Sequence, residues 1–232
     1  MKFQTPLVHA TLIKRYRRSL VDARLGDGTV ITAHCPNATA MRGCYKPGNT
    51  VILSDSGNPG RRHRHTWELI NMDGTWVCVN PMMARKVIYG AIEKGMIPSL
   101  SDYKEIDHET TYGTGNKIDM ILHSMERNCL INIYPVTWAE NDIALYPDFV
   151  SERITKSLLG LIEVVKQEHS AMAFFFVQRG DCSRFKPAEN IDRAFLKAML
   201  AAESKGVEIM VYRAVVTTEE ISLGVPIPYS LA

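Results

Sequence analysis

Along residues 6–79, apolar and polar positions alternate in short, β-branched runs: "LVHATLIKRYRR", "LVDARL", "TVITAHC", "TVILS", "TWELINM" and "TWVCV". Turn formers separate them as "GDG", "KPGN", "GNPG" and "DG". A period of two, broken by glycine, proline and asparagine, predicts strands joined by tight turns. Five or so strands in so short a length fit an OB-like barrel, whose face and loops often bind nucleic acids. Fold alone does not assign that function.

Beyond Val79 the period lengthens. In "PMMARKVIYGAIEKGM", Met83, Val87, Ala91 and Ile92 share one helical stripe behind a proline suited to a first turn. Strands are predicted at "EIDHETTYG", "NKIDMIL" and "CLINIYPVT". A second helix follows in "SERITKSLLGLIEVVKQEH", with Ile154, Leu158, Leu161, Ile162 and Val165 on one face and Ser151 as its cap. The continuous apolarity of "AMAFFFVQR" predicts a buried strand, "DRAFLKAMLAAESKG" a helix ended by Gly206, and "VEIMVYRAVV" a last strand. The expected architecture is a two-domain α+β protein. An OB-like barrel spans residues 1–80 and an α/β domain with a mixed sheet spans 81–232, packed directly because no long linker separates them.

Composition narrows the classes. No stretch of 232 residues approaches the roughly 18 apolar residues of a membrane span, and the first residues lack a signal-peptide core, so a soluble cytoplasmic protein is expected. Five dispersed cysteines, never in C-x-x-C spacing, favour reduced thiols over disulfides or zinc. Charge is more telling. Residues 1–65 hold eleven Lys/Arg against three Asp/Glu, a balance of +8; the remainder holds sixteen against twenty-two, or −6. Such asymmetry points to a polyanionic partner at the N-terminal end, with a solvated basic face as the plain alternative.

Two clusters carry that charge. In "KRYRR", strand alternation puts Lys14, Tyr16 and Arg18 on one face and Arg15 and Arg17 on the other. Cations beside an aromatic suit a nucleic-acid strand: the charges neutralise phosphates and the ring stacks on a base. Charges that protect an edge strand are the alternative. In "GNPGRRHRHTW" the turn residues predict a loop presenting Arg61, Arg62, His63, Arg64 and His65, with Trp67 just inside the next strand. No nearby acid or cysteine completes a metal site around the histidines, so phosphate contact is the expected role.

A harder question sits at residues 116–137, "NKIDMILHSMERNCLINIYPVT", where Asp119 interrupts an apolar run. An aspartate on one strand and Glu-x-Lys on the next form the core of many metal-dependent nucleases. Here the second strand reads Asn132-Ile133-Tyr134. Asparagine brings no charge and tyrosine stays neutral, which leaves Mg²⁺ poorly served. Asp119 is therefore expected to bond to backbone donors or to Asn132. Pro135 lacks a ladder donor, which predicts an edge or bulge at that end of the strand.

Across nearly its whole length the sequence resembles the sugar fermentation stimulation protein A (SfsA) family, through "LIKRYRRSLVDA", "TAHCPNATAM", "NPGRRHRHTWEL", "VCVNP", "YGTGNKIDMIL", "YPDFVSERITK" and "GVEIMVY". The resemblance implies an N-terminal OB domain, a C-terminal domain like PD-(D/E)XK nucleases, non-specific DNA binding and regulation of sugar (maltose) metabolism genes. Asp119 matches the family's aspartate, whereas Asn132 and Tyr134 replace its glutamate and lysine, and a helix glutamate falls on Gly90. Glu109 and Asp148 remain. The pocket of Asp119, Asn132, Tyr134 and Glu109 is accordingly expected to be vestigial, with no catalytic residue, metal or cofactor. The expected function is largely sequence-independent DNA binding through Lys14, Arg15, Tyr16, Arg17, Arg18, Arg61, Arg62, Arg64 and His65. The alternatives are a Mg²⁺- or Mn²⁺-dependent nuclease acting on DNA or RNA, and a module whose basic surface meets an acidic protein.

Overall fold

The computed structural model describes residues 1–103, 105–112 and 116–231, with the side chains of 109, 110, 112 and 116 outside the description. The first domain is built from β1 (Leu7–Tyr16), β2 (Leu20–Leu25), β3 (Val30–His34), β4 (Thr50–Asp55), β5 (His65–Met72) and β6 (Thr75–Cys78). Their order is β3-β2-β1-β4-β5-β6, and a parallel pairing of His34 with Thr66 joins β3 to β5 and closes the sheet on itself. Register shifts between Leu12 and Lys14 in β1 and between Ile52 and Leu53 in β4 supply the bends that closure needs. Leu12, Val21, Ala33, Val51, Leu53, Trp67 and Ile70 fill the interior.

The second domain contains α1 (Met82–Glu93), a 3₁₀ turn (Pro98–Leu100), β7 (Glu105–Tyr112), β8 (Asn116–His123), β9 (Cys129–Val136), β10 (Trp138–Glu140), β11 (Ile143–Tyr146), α2 (Glu152–Lys166), β12 (Ser170–Val177), β13 (Arg184–Pro187), α3 (Arg193–Ser204), β14 (Glu208–Val216) and β15 (Ile221–Pro226). The main sheet is mixed, in the order β15-β14-β12-β9-β8-β7; β10, β11 and β13 form a small separate sheet that the period had not announced. β12 lies between two parallel partners, which explains its unbroken apolar run. Phe175 faces α2 and α3, while Phe174 and Phe176 face α1, and all three are fully buried. Each contributes about 2 kcal/mol of apolar burial.

Helix ends follow their sequences. Ser151 Oγ accepts from Ile154 N at 3.4 Å, and Asp192 accepts from Phe195 N and from Ser151 N, tying together the starts of α2 and α3. Gly206, at φ 89°, turns the chain after α3. No helix among the described residues is long and apolar enough to cross a membrane.

The domains share a core. Ile52, Leu69 and Cys78 of the barrel pack with α1, β9 and β12, so β5 is buried on both faces. Polar contacts seal the seam: Gln178 donates to Cys78 O and Asn80 O, and Arg179 to Gly43 O and Thr137 O. Thr39 Oγ1 donates to Asp148 Oδ2 at 2.9 Å, and Arg42 Nε donates to Asp148 O at 3.0 Å.

Candidate functional site

The two basic clusters, distant in sequence, meet at the end of β3. Leu20 pairs with His34 on one side and Thr66 pairs with it on the other. The β1–β2 turn and the β4–β5 loop therefore stand about two strand spacings apart, roughly 10 Å. The backbone N–H of Cys35 donates to Ser19 O, holding the turn against the segment that follows β3.

The clusters do not present every residue that the sequence nominates. β1 ends at Tyr16, and Arg17 and Arg18 take left-handed turn conformations at φ 50° and 58°. Strand alternation therefore does not carry Arg18 onto the face of Lys14 and Tyr16; it stands with Arg17 at an exposed turn. Arg15 departs further from expectation. Its Nη2 lies within hydrogen-bond distance of Arg18 O, Asn37 O and Thr39 O at 2.7–3.0 Å, so it pins the loop after β3. Lys14 lies 3.7 Å from Asp22 and over the Tyr16 ring, whose hydroxyl donates to Asp22 at 3.0 Å.

In the β4–β5 loop Arg61 and Arg62 are exposed. Arg64 binds Asp55, with His65 Nε2 4.0 Å from the same carboxylate. The Arg64 hydrogen bond, then the Gly57 N–H, hold the Asp55 carboxyl down at about 2. Trp67 is fully buried with its Nε1 donating to Leu69 O, which removes it from any stacking surface. The exposed cations at this end are thus Lys14, Arg17, Arg18, Arg61, Arg62 and, partly neutralised, Arg64.

Asp119 has a different setting. The ladder between β8 and β9 runs only over Met120–Leu122 and Cys129–Ile131, beyond which the strands splay. The Asp119 side chain fills the splay: Oδ2 accepts from Ile133 N at 2.7 Å, while Asp119 N donates to Asn132 Oδ1 at 3.2 Å. Of the two expected partners, a backbone donor meets the carboxylate, whereas Asn132 bonds to the Asp119 backbone N–H and not to its side chain. Pro135 falls in this one-sided part of β9, which is bonded to β12 but no longer to β8.

The sequence had not pointed to Arg85. From α1 its Nη2 reaches Asp119 Oδ1 at 2.7 Å. Asn132 Nδ2 donates to Ser157 Oγ at 2.9 Å, and the Tyr134 hydroxyl lies 3.4 Å from that same oxygen. Tyr134 stacks on Phe175 at 4.9 Å within an aromatic group that includes Tyr146 and Phe195, and burial pushes its phenol well up. As arranged, these residues do not fit a divalent ion. Each oxygen of Asp119 and the amide oxygen of Asn132 faces an N–H donor, and a guanidinium stands against the carboxylate. Asp148 is turned to the barrel instead. Glu109 lies on β7 with its side chain outside the described residues. Among the described residues no three His, Cys, Asp or Glu gather as metal ligands. The cysteines offer no nucleophile: all five are buried and free, and burial pushes Cys44, Cys78, Cys129 and Cys182 up to about 12.

Two family models match this chain: "SfsA N-terminal OB domain" over residues 13–79 and "Sugar fermentation stimulation protein RE domain" over 82–220. The chain belongs to the SfsA family. The sugar fermentation stimulation protein homolog of Geobacter sulfurreducens is 45% identical over 96% of each chain, and that of Citrifermentans bemidjiense 43% over the full length of both. A solved structure of Pyrococcus furiosus SfsA, in complex with Ca²⁺, shares the fold at a TM-score of 0.90 and 20% identity, covering 99% of this chain and 98% of that one. The SfsA architecture of an OB domain followed by an α/β domain is thereby established for this chain.

Proposed function

We propose that this protein is a non-catalytic DNA-binding protein that holds the phosphate backbone, with little regard to sequence, on the basic end of its barrel. The observation that carries the reading is the convergence on β3 of two arginine clusters, four of whose members, Arg17, Arg18, Arg61 and Arg62, are exposed and make no ion pair among the described residues. Exposed guanidinium groups neutralise backbone phosphates without reading bases. Lys14 and Tyr16 add a cation and a ring to the same end. His65 and Arg15 support the loops rather than touch DNA.

The C-terminal domain reads as a PD-(D/E)XK-like nuclease fold whose site has lost its chemistry. Support comes from its order, in which a helix precedes three antiparallel strands and a second helix crosses to a parallel strand, with Asp119 at the centre. Arg85 neutralises that carboxylate where a nuclease needs a dication. A role in regulating sugar metabolism genes is supported by the family's name alone.

A salt titration of duplex DNA binding, followed by fluorescence anisotropy, tests the reading. With about six phosphates neutralised, affinity falls on the order of a thousandfold between about 50 and 200 mM salt. A flat titration rejects DNA binding. Cleavage of DNA or RNA in the presence of Mg²⁺ or Mn²⁺, abolished by Asp119→Ala, rejects the non-catalytic part.

A further inference from the structure

Between the barrel and α1 lies a cleft of about 410 Å³, the size of a small-ligand site. His34 and Arg61 form part of the barrel wall; Met82, Met83 and Lys86 face them from α1. Lys2 and Phe3 close one side. The acid in the lining, Glu68, is buried and already bonded, receiving Ser54 Oγ and Asn80 Nδ2 at 2.7 Å each. The lining is therefore cationic, and its one carboxylate is held by hydroxyl and amide donors.

His34 supplies an independent observation. Its Nδ1 is enclosed and has no hydrogen-bond partner among the described residues, which is unusual for a buried polar atom. Burial disfavours its charged form, and so, to a lesser degree, do Arg61 and His63. An anion in the cleft lies against the His34 ring and gives Arg61 and Lys86 a counter-charge. The two methionines and Phe3 offer an adaptable apolar wall of the kind a nucleobase packs against.

We propose that this cleft binds a nucleoside phosphate, holding the phosphate with Arg61, Lys86 and His34 and the base against Met82 and Met83. The ligand is the 5′-phosphorylated end of a DNA strand or the same nucleotide free in solution. The strand-end form rests on the DNA-binding reading above; the free-nucleotide form does not. Recognition is non-covalent.

The test compares 5′-phosphorylated and 5′-hydroxyl oligonucleotides of one sequence by anisotropy, and titrates dAMP and deoxyadenosine by calorimetry. Wild-type protein is set beside Lys86→Met and His34→Gln, with circular dichroism confirming that each is folded; Lys86 is exposed, so its replacement leaves the core intact. The expected result is a preference of about tenfold for the phosphorylated end, the worth of one charge-assisted hydrogen bond. Lys86→Met should abolish that preference while binding of the hydroxyl oligonucleotide persists. Equal, salt-sensitive binding of both oligonucleotides by the wild type overturns the strand-end form and leaves the DNA reading standing. If neither oligonucleotide binds, the DNA reading fails, and dAMP binding that requires Lys86 upholds the cleft. Failure to bind dAMP as well, or a phosphate preference retained in both variants, overturns the cleft.

Discussion

At the barrel tip Arg17, Arg18, Arg61 and Arg62 stand exposed with no ion pair among the described residues, whereas at the splay between β8 and β9 one arginine, Arg85, is held 2.7 Å from Asp119. Both places join arginine chemistry to a surface that could meet nucleic acid. They differ in what each guanidinium already touches. A free arginine can exchange counterions for phosphates and so gain affinity from salt release. One bonded to a carboxylate has its partner already, and it removes the charge a metal would need. The same residue type thus stands exposed and without an ion pair, among the described residues, in one domain and ion-paired inside a pocket in the other. Four experiments probe this contrast.

Placing a lysine in the pocket by Tyr134→Lys has the largest expected effect. Tyr134 is buried against Phe175, Tyr146 and Phe195, so a lysine there loses aromatic packing and buries an ammonium beside Ser157 and Asn132, with the nearby Asp119 carboxylate already bonded to Arg85 and Ile133 N. A cost of about 4 kcal/mol or more is expected from urea unfolding. A well-folded variant would mean that the position accepts a charge and that the pocket has not been absorbed into the core.

Next comes the barrel tip. Replacing Arg17, Arg18, Arg61 and Arg62 together by alanine should lower DNA affinity about a hundredfold for every sequence tested. The slope of log affinity against log salt should shrink by roughly 0.9 for each phosphate no longer neutralised. Unfolding should change little, because all four residues are exposed. Unchanged DNA affinity would place the binding surface elsewhere and dissolve the contrast.

Asp119→Ala should act in the opposite sense, on stability and not on binding. It orphans the Ile133 N–H and releases Arg85, whose side chain is 39% exposed and can turn to water. That exposure discounts the ion pair, leaving about 2 kcal/mol, mostly from the unsatisfied backbone donor. Asp119→Asn, which keeps an acceptor, should cost less. A simultaneous loss of DNA affinity would show that the pocket contributes to the interface.

Much of this contrast was legible in the sequence, and the gaps have physical causes. The barrel strands and the capped helix α2 follow from local period and from Ser151, because one turn or one pleat suffices to express them. The small sheet of β10, β11 and β13 was not, since strands of three or four residues are too short to establish a period. The shortfall of charge opposite Asp119, at Asn132 and Tyr134, could be read from residue chemistry alone. Its remedy could not: Arg85 lies in a different element from Asp119, and pairing across elements leaves no local spacing to detect. Arg15 misled for the related reason that a basic residue at a strand end looks the same whether it faces solvent or ties down carbonyls 22 and 24 residues away. Charge counts report supply; only the fold reports what each charge already holds.

The smallest effect concerns Asp55 and Arg64, a miniature of the second situation set within the first. Arg64 and the Gly57 N–H hold the Asp55 carboxyl at about 2, below its ordinary 3.8. A depressed folded value means that the interaction stabilises the protein above the ordinary pKa and that this contribution disappears as pH falls from about 4 towards 2. Carbon-detected NMR of the Asp55 carboxyl should give a midpoint near 2 in the wild type and a higher one in Arg64→Ala, short of 3.8 because the Gly57 donor remains. The difference in stability between the two proteins should be constant from about pH 7 to about 4 and fade below it. Because Arg64 is already partnered, its removal should lower DNA affinity less than removal of Arg61 or Arg62. An unmoved Asp55 midpoint would instead make Arg64 a further free cation of the barrel tip, with a full share of the salt slope.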